Sequence, residues 1–250
     1  MSRSVFELRD LPAQASASLV DSIEIHTTAV LGKTVADSKL SALSREQYRQ
    51  LAATLHNAQA ENGLKAVMIA SAVGGEGKTM TAANLAWTFA ESYRRRVLLV
   101  DADLRRPSLH RLFDIGERPF ESSRPWTEQV RQVTPRLGLL SRTQPSTAPM
   151  ADLTSTRMRE LIQEARRMVD WIIVDTPPVA LLPDASLLAS VVDGTVIVVR
   201  AGSTPLELVR RAVDALDAKT TLGVVLNGAS RQVLNDDYGY DEYYTRIEPH

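Results

Sequence analysis

The feature that most constrains this chain is a glycine-rich stretch, residues 72–79, which reads AVGGEGKT. It matches the phosphate-loop pattern of Ala or Gly, four residues of any type, Gly-Lys, and then Ser or Thr. The glycines of such a loop let backbone N–H groups turn inward around anionic oxygens, the lysine can bridge the β- and γ-phosphates, and the hydroxyl can bind Mg²⁺. We therefore predict that a nucleotide binds here with Mg²⁺ and contacts Gly74, Gly75, Glu76, Gly77, Lys78, Thr79 and Met80.

The residues on either side of the loop support this prediction. Before it, residues 66–70 (AVMIA) form a short apolar run that is typical of a strand. The N-terminus of a following helix would direct its dipole and its free N–H groups at the phosphates. The alternative is a glycine-rich turn between a strand and a helix that binds nothing. The helix that follows the loop is itself predicted by apolar residues at three- and four-residue spacing: Ala82, Leu85, Ala86, Phe89 and Ala90.

Composition excludes several classes of function. Of the 250 residues 44% are hydrophobic, which is enough for one large α/β domain with appendages. A net charge of −1 argues against a general nucleic-acid binder, because affinity for a phosphate backbone needs a basic excess. The sequence has no cysteine, which excludes disulfides, thiolate catalysis and cysteine-bound metals, and its four histidines lack metal-ligand spacing. Because we find neither a membrane-spanning run nor a signal peptide, we expect a cytoplasmic protein.

Short apolar runs alternate with helical patterns along the chain. Capping boxes, Ser44 with Gln47 and Thr204 with Glu207, predict helices over residues 44–61 and 205–219. Alternation of this kind predicts parallel strands that are covered on both faces. The predicted fold class is therefore α/β, a three-layer α/β/α P-loop NTPase with a mainly parallel central sheet. The remaining predicted elements are strands at residues 97–100, 137–140, 171–174, 195–200 and 223–227, and helices at residues 155–169 and after Asp184.

The sequence also indicates the domain organisation. Residues 1–42 lack a persistent period, which predicts a loosely ordered extension before a P-loop domain over residues 43–232 and a flexible tail over residues 233–250. Between residues 113 and 150 the pattern fades into Arg, Ser, Pro and Thr, which predicts a loop with a short helix near residues 127–133. This loop either borders the active site or is a solvent-exposed connection, and the sequence leaves both open.

Carboxylates follow two of the predicted strands. Asp101 and Asp103 come after the strand at residues 97–100, and Asp175 follows the strand at residues 171–174. Ligands of open α/β sheets bind at the carboxyl ends of the strands, so these acids should converge on the phosphate loop. Asp175 is the expected Mg²⁺ residue, whereas the pair Asp101 and Asp103 suits two metal roles or one metal role and one base role. For any one of the three, a helix cap is the alternative.

These motifs resemble those of the bacterial tyrosine kinases of polysaccharide biosynthesis, which are related to the MinD and ParA ATPases. The family carries a loop ending in GEGK and Ser or Thr, a DxDxR box and a DxxP box, found here at residues 75–79, 101–105 and 175–178. The resemblance covers about residues 43–245. MinD and ParA relatives usually have a lysine just before the loop glycines, where this chain has Val73, and that difference favours the kinase branch.

The C-terminal segment strengthens the resemblance. The sequence DDYGYDEYY, residues 236–244, looks like the autophosphorylation sites of the family, and flanking acids favour an extended, solvated chain. A terminal strand that packs its aromatic rings on the domain is the alternative. By resemblance, the tail of one subunit would enter the site of a neighbour and be phosphorylated there from ATP. The predicted acceptors are Tyr238, Tyr240, Tyr243 and Tyr244.

The resemblance also assigns roles to the site residues. Lys78, Asp101 and Asp103 are expected to be catalytic, with Lys78 on the phosphates and Asp101 as the base. Thr79, Asp103 and Asp175 are expected to hold Mg²⁺. Asn227 is either an adenine contact, as in related ATPases, or a plain turn residue. Arg105 and Arg106 would serve the acceptor tyrosine, the phosphates or a neighbouring subunit, and the sequence does not rank these.

The resemblance implies partners as well. A kinase of this stand-alone type is expected to be activated by the cytoplasmic segment of a membrane-embedded polysaccharide co-polymerase, and so to lie at the inner face of the plasma membrane. A cognate tyrosine phosphatase is expected, and nucleic acid is not. One departure concerns self-assembly: family members often carry Glu, Arg and Arg at three-residue spacing on the helix before the loop, where this chain has Glu46, Arg49 and Ala52. A ring, a dimer and a monomer therefore all stay open.

Two other functions are weighed against the kinase. The first is an ATPase switch of the MinD or ParA type, without tyrosine kinase activity, and Val73 and the tyrosine cluster argue against it. The second is a scaffold that binds ATP and transfers nothing. Intact Lys78, Thr79 and the three aspartates argue against the scaffold.

Overall fold

The structure is a computed structural model, and it describes residues 40, 42–116, 119–121, 123–154, 156–179, 184–216 and 220–229. The predicted extension over residues 1–42 lies almost wholly outside these residues, and the tail over residues 233–250, with its four predicted acceptor tyrosines, lies wholly outside them. The predicted domain boundaries therefore stay a prediction.

The strands of the described part form one sheet, in the order β3-β4-β2-β5-β1-β6-β7. All neighbouring strands are parallel except β3 and β4, which are antiparallel. This arrangement confirms the predicted mainly parallel sheet. The strands are β1 (Ala66–Ser71), β2 (Val97–Asp101), β3 (Arg131–Thr134), β4 (Leu137–Leu140), β5 (Trp171–Asp175), β6 (Gly194–Arg200) and β7 (Thr221–Asn227).

Helices cover both faces of the sheet, as the alternating pattern predicts. Helices α1 to α3 pack on one face and α4 to α7 on the other, and each face has its own apolar core. No helix in the described ranges combines the length and the apolar character needed to cross a bilayer. The helices are α1 (Ala42–Asn62), α2 (Lys78–Glu91), α3 (Leu109–Leu112), α4 (Pro149–Thr154), α5 (Thr156–Met168), α6 (Asp184–Ala189) and α7 (Leu206–Ala215), with a 3-10 helix at Trp126–Gln129.

The strand β1 shows how the sequence builds this layering. Successive side chains of a strand point to opposite faces, and all of the side chains of β1 are buried. Met68 belongs to the core beneath α4 to α7, and Ile69 to the core beneath α1 and α2. On the second face, the ring of Phe89 on α2 stacks on that of Trp171 on β5, with centroids 4.4 Å apart. This contact fixes the helix whose first turn carries Lys78.

Three local predictions were wrong. Helix α1 begins at Ala42, so Ser44 lies inside the helix and the predicted capping box is not at its start. Near residues 127–133 a short 3-10 helix is present, but it ends at Gln129, and the rest of the predicted helix is the antiparallel strand β3. The N-cap of α7 is Pro205, and it makes no side-chain capping bond. The Thr204 hydroxyl has a different partner, which belongs to the phosphate loop.

Candidate functional site

The phosphate loop joins β1 to α2 along a path that requires glycine. Gly75 and Gly77 have φ angles of +85° and +96°, values that residues with a Cβ rarely adopt. A Cβ on Gly77 would also lie 2.1 Å from Nδ2 of Asn227. Gly74 and Gly75 are exposed, and Met80 lies half-buried in the first turn of α2. The backbone of the loop is thus open to a ligand at the N-terminus of a 14-residue helix.

Glu76 ties the phosphate loop to the rest of the domain. Its side chain is only 2% exposed. Oε2 accepts a 2.7 Å hydrogen bond from the backbone N–H of Val73. Oε1 accepts one from the Thr204 hydroxyl and a longer one, 3.4 Å, from the backbone N–H of Arg200. The Glu76 carboxylate is therefore occupied by hydrogen-bond donors of the protein itself. The predicted contact of Glu76 with nucleotide would have to be made by its backbone.

Asn227 closes the loop from the opposite side. This residue ends β7, and its Nδ2 donates a 2.8 Å hydrogen bond to the carbonyl oxygen of Glu76. The structure therefore places Asn227 against the phosphate loop rather than in a free turn. This position fits either support of the loop or the predicted contact with adenine.

The predicted catalytic lysine lies among carboxylates. Nζ of Lys78 is 3.7 Å from Oδ2 of Asp103 and 3.4 Å from Oγ1 of Thr79. The Thr79 hydroxyl in turn donates a 2.7 Å hydrogen bond to Oδ2 of Asp175. The structure thus brings Lys78, Thr79, Asp103 and Asp175 together at the carboxyl ends of β1, β2 and β5, where the sequence predicted that they would meet.

Asp175 is held as a buried acid with one oxygen unused. The residue is 0% exposed, and its Oδ1 has no hydrogen-bond partner among the described residues. Burial raises the pKa of Asp175 to about 7, although the positive charge of Lys78 and the hydrogen bond from Thr79 act to lower it. A buried oxygen without a partner is costly, so Asp175 is suited to a ligand that would bind there.

The donor set fits Mg²⁺ bound together with nucleotide phosphates. Mg²⁺ prefers hard oxygen ligands and usually keeps several waters, so that one or two carboxylates suffice beside the phosphates. Thr79 and Asp175 offer such oxygens, and Asp103 lies beside Lys78. No group of three or more His, Cys, Asp or Glu side chains among the described residues could hold a metal ion by itself.

Asp101 is fixed by the chain that follows it. The residue is 4% exposed, and its Oδ2 accepts hydrogen bonds from the backbone N–H groups of Ser108 and Leu109 and from the Ser141 hydroxyl, at 2.9, 3.0 and 2.9 Å. Its Oδ1 is buried without a partner among the described residues. Burial raises the pKa of Asp101, against the lowering effect of these three hydrogen bonds. A fixed carboxylate with one unused oxygen and a raised pKa is suited to accept a proton.

Sequence reasoning missed several residues that support the site. Ser141 follows β4 directly, and the order β4-β2-β5 brings its hydroxyl to Asp101. A hydroxyl just after a predicted strand is a signal that the sequence did contain.

Arg105 forms a two-point ion pair with Asp184, with its Nε 2.8 Å from Oδ2, and Asp184 is 1% exposed. This pairing gives Arg105 a structural role inside the domain, which is none of the three roles that the sequence left open.

The packing of helix α1 explains why this chain has an alanine where family members often carry the second arginine of the Glu, Arg and Arg motif. Glu46 and Arg49 form an exposed ion pair of 3.2 Å. Ala52, at the position of the third charged residue, is 0% exposed and packs in the core between α1 and the sheet. An arginine at this position would have to bury its charge, so the alanine is a packing residue here.

Comparison with known families and proteins agrees with this geometry. The family described as "ParA: NUBPL iron-transfer P-loop NTPase" matches residues 63–238. Tyrosine-protein kinase YwqD of Bacillus subtilis (strain 168) is 36% identical over 214 residues, which cover 82% of this chain and 90% of the relative. Tyrosine-protein kinase etk of Escherichia coli (strain K12) is 30% identical over 195 residues, 75% of this chain and 27% of that longer protein.

Solved structures give the same result. The chimerical protein CapA2B2 superposes with a TM-score of 0.73 at 25% identity, over 80% of this chain and 91% of that one. The kinase domain of Escherichia coli tyrosine kinase ETK has a TM-score of 0.67 at 28% identity, over 74% of this chain and 77% of that one. Residues 63–238, which match the family model, include the phosphate loop and the strands that carry Asp101 and Asp175. The chain therefore belongs to the bacterial tyrosine kinases, a branch of the ParA-type P-loop NTPases.

Proposed function

We propose that this chain uses MgATP to phosphorylate the tyrosines of its own C-terminal segment, in trans, and that it thereby regulates the synthesis and export of an extracellular or capsular polysaccharide. The observation that carries this proposal is that Asp103 and Asp175 contact Lys78 and Thr79, while the fixed carboxylate Asp101 lies beside Asp175 on the neighbouring strand. In a chain of the tyrosine kinase family, Lys78 would bind the phosphates, the oxygens of Thr79, Asp103 and Asp175 would bind Mg²⁺, and Asp101 would accept the proton.

The mechanism divides the work among these residues. The loop backbone and Lys78 would bind the β- and γ-phosphates, and Thr79, Asp103 and Asp175 would hold Mg²⁺, which supplies neutralisation of phosphate charge when bound. The oxygen of an acceptor tyrosine attacks the γ-phosphorus while its proton passes to the carboxylate of Asp101. The bond between the γ-phosphorus and the β,γ-bridging oxygen breaks, and ADP leaves. Positioning by fixed side chains accounts for most of the acceleration in such a transfer.

The alternative is a MinD- or ParA-like ATPase switch without kinase activity. Both kinds of protein share the sheet and the phosphate loop, so the fold does not separate them. The relatives that carry the name tyrosine kinase, at up to 36% identity among those reported above, favour the kinase. The iron-transfer proteins named in the family description are also a poor analogy, because this sequence has no cysteine to bind an iron–sulfur cluster.

The proposed partners follow from the same function. The activator would be a cytoplasmic segment of a membrane-embedded polysaccharide co-polymerase, which would hold the kinase at the inner face of the plasma membrane. A tyrosine phosphatase would reset the tail. Repeated phosphorylation of a tail that already contains Asp236, Asp237, Asp241 and Glu242 would raise repulsion between tails and favour separation of associated subunits.

The test is phosphotyrosine mapping after incubation with Mg²⁺ and labelled ATP. The wild type, alone and with a candidate activator segment fused to it, is compared with Lys78→Met and with a variant in which Tyr238, Tyr240, Tyr243 and Tyr244 are all changed to Phe. We expect label on the tail of the wild type and on neither variant alone.

A mixing experiment tests transfer in trans. The Lys78→Met variant keeps its acceptor tyrosines, and the four-Phe variant keeps its active site. If transfer occurs in trans, the mixture of the two places label on the Lys78→Met chain. ATP hydrolysis without phosphotyrosine, in the presence of an activator shown to bind, would instead support the ATPase switch.

A further inference from the structure

The strand β7 leaves an apolar surface open at one end of the sheet. Leu222, Val224 and Leu226, which we call the β7 strip, are 39%, 55% and 55% exposed. Within the described ranges, β7 pairs with β6 alone and ends the order of strands. We propose that residues 22–29 of the same chain add to this edge as a further strand and cover the β7 strip. The proposal concerns an interaction within the chain and does not depend on the proposed kinase activity.

The β7 strip continues a buried core. Paired residues of parallel strands point to the same face, and Val224 pairs with Ile197 while Leu226 pairs with Val199. Ile197 and Val199 are 0% and 8% exposed and belong to the core beneath α4 to α7. The apolar face therefore extends past the buried part of the sheet onto β7, where it is open to solvent. An exposed apolar patch of this kind marks a candidate interaction site.

The backbone of β7 also has hydrogen-bonding groups that point away from β6. The Asn227 carbonyl oxygen accepts a 2.8 Å hydrogen bond from the N–H of Ala201, so the backbone of Asn227 faces β6. Because successive residues of a strand direct their backbone groups to alternate sides, Val224 and Leu226 direct theirs to the open edge. An added strand would bond to these groups and place its own side chains beside the β7 strip.

The opposite end of the sheet provides a contrast. The strand β3 has only four residues and begins with the charged Arg131. The strand β7 has seven residues, none of which is charged. Proteins keep an open edge from pairing by short strands and by charge, or else they cover it. Because β7 has neither of the first two protections, we expect another segment to cover it.

Residues 22–29, SIEIHTTA, have the pattern that this edge requires. The odd-numbered residues are Ile, Ile, Thr and Ala, which all carry methyl groups, and the even-numbered residues are Ser, Glu, His and Thr. Alternation over eight residues predicts a strand with one apolar face, although the extension as a whole lacks a persistent period. The apolar face would cover the β7 strip, and the polar face would lie on the other side of the sheet.

The extension is long enough to reach β7. Twelve residues, 30–41, join the proposed strand to the start of α1 at Ala42. Fully extended, such a connection spans about 40 Å, which is comparable to the width of a domain of this size. The C-terminal tail is a poorer match, because residues 236–242 include four acids and β7 has no charge to pair with them.

The first test is hydrogen exchange in the full chain, followed by NMR at the outward-facing amides of β7. Ile23→Asp combined with Ile25→Asp places charge on the apolar face of the proposed strand. The matched control, Ser22→Asp combined with His26→Asp, places the same number of aspartates on its polar face. The buried amides of β1 report the stability of the whole domain in each variant.

We expect the isoleucine variant to exchange the outward β7 amides about tenfold faster than the wild type, with the β1 amides unchanged and the control variant like the wild type. The factor is moderate because an added strand is itself an edge and opens by local fraying. Equal rates in the wild type and the isoleucine variant would overturn the proposal. An equal acceleration by the control variant would overturn it as well.

A cross-linking experiment identifies the copy that supplies the strand. The sequence has no cysteine, so Ile25→Cys and Val224→Cys introduce the only two thiols of the chain. We expect a short bismaleimide to join them within one chain and to give a cross-linked monomer, with little product when His26→Cys replaces Ile25→Cys. Cross-linked dimers alone would assign the edge to a second copy and overturn the proposal, as would the absence of any cross-link.

Discussion

The hydrogen bond between Glu76 and Thr204 joins the phosphate loop to the connection between β6 and α7, and its removal should have a measurable effect on stability. The Glu76 carboxylate is nearly fully buried and has two close donors, the N–H of Val73 and the hydroxyl of Thr204. Glu76→Ala leaves both donors without this acceptor. The prediction is a loss of folding free energy in the absence of nucleotide.

The magnitude follows from the two donors. A hydrogen bond to a charged group contributes about 1.5–3 kcal/mol when it is buried. The bond from the Val73 N–H is short and shielded, so we assign it about 2 kcal/mol. Thr204 is half-buried and can turn to water, so we assign its bond about 1 kcal/mol. Glu76→Ala should therefore lower the free energy of unfolding by about 3 kcal/mol.

The assay is urea unfolding of the nucleotide-free protein at pH 7, followed by circular dichroism, for Glu76→Ala, Thr204→Val and the double variant. Because the two side chains share one bond, the double variant should lose about 1 kcal/mol less than the sum of the single losses. Glu207→Ala is the control, since its ion pair with Arg211 is exposed and should contribute less than about 1 kcal/mol. Strict additivity, or a loss below about 1 kcal/mol in Glu76→Ala, would refute the reasoning.

Three further predictions concern the core, a half-buried ion pair and the candidate metal site. Phe89→Ala removes the ring stacked on Trp171 and should lower the free energy of unfolding by about 3–5 kcal/mol in urea titration; a loss below about 1 kcal/mol would contradict the packing. Burial would raise the pKa of Asp193, but hydrogen bonds from Arg166 and from two backbone N–H groups lower it overall. The stability that Asp193 contributes is therefore fully present above the unfolded pKa of 3.8, and it is lost as pH falls through the lower folded pKa. Asp193→Asn should therefore be less stable than the wild type at pH 7 and approach it near pH 2, and a difference that is independent of pH would contradict this. Asp175→Asn removes a carboxylate that is buried without full pairing, so the nucleotide-free variant should be at least as stable as the wild type in thermal unfolding. Its Mg²⁺-dependent tail labelling should fall about 100-fold or more. A variant that is destabilised but active would contradict the proposed role of Asp175 in holding Mg²⁺.

The sequence predicted the meeting of the site residues because that meeting depends on one topological rule. Asp101, Asp103 and Asp175 each follow a strand, and parallel strands present their carboxyl ends at a common edge. The order of the strands was beyond such reasoning, because it depends on pairings between residues far apart in the chain. For this reason the neighbourhood of Ser141 and Asp101 was missed, although Asp101 ends β2 and Ser141 directly follows β4.

Two of the three wrong predictions, those for α7 and for residues 127–133, have a common physical cause. Thr204 and Glu207 have the spacing of a capping box, yet a buried carboxylate at Glu76 competes for the same hydroxyl and binds it. A local motif describes only what neighbours in sequence offer a side chain. In the segment near residues 127–133, the open edge of β4 likewise offers backbone partners that favour the strand β3 over a helix.

The position of β1 in the middle of the sheet has a consequence for amide hydrogen exchange. All six of its residues are buried, with β5 paired on one side and β6 on the other, so its amides should exchange with deuterium only when the whole domain opens. The edge strand β7, whose Leu222, Val224 and Leu226 are exposed, should exchange through local fraying. Since the phosphate loop begins where β1 ends, nucleotide binding should slow deuterium uptake in β1 by the full factor by which it stabilises the fold. The amides at the centre of the sheet would then report whether nucleotide occupies the phosphate loop.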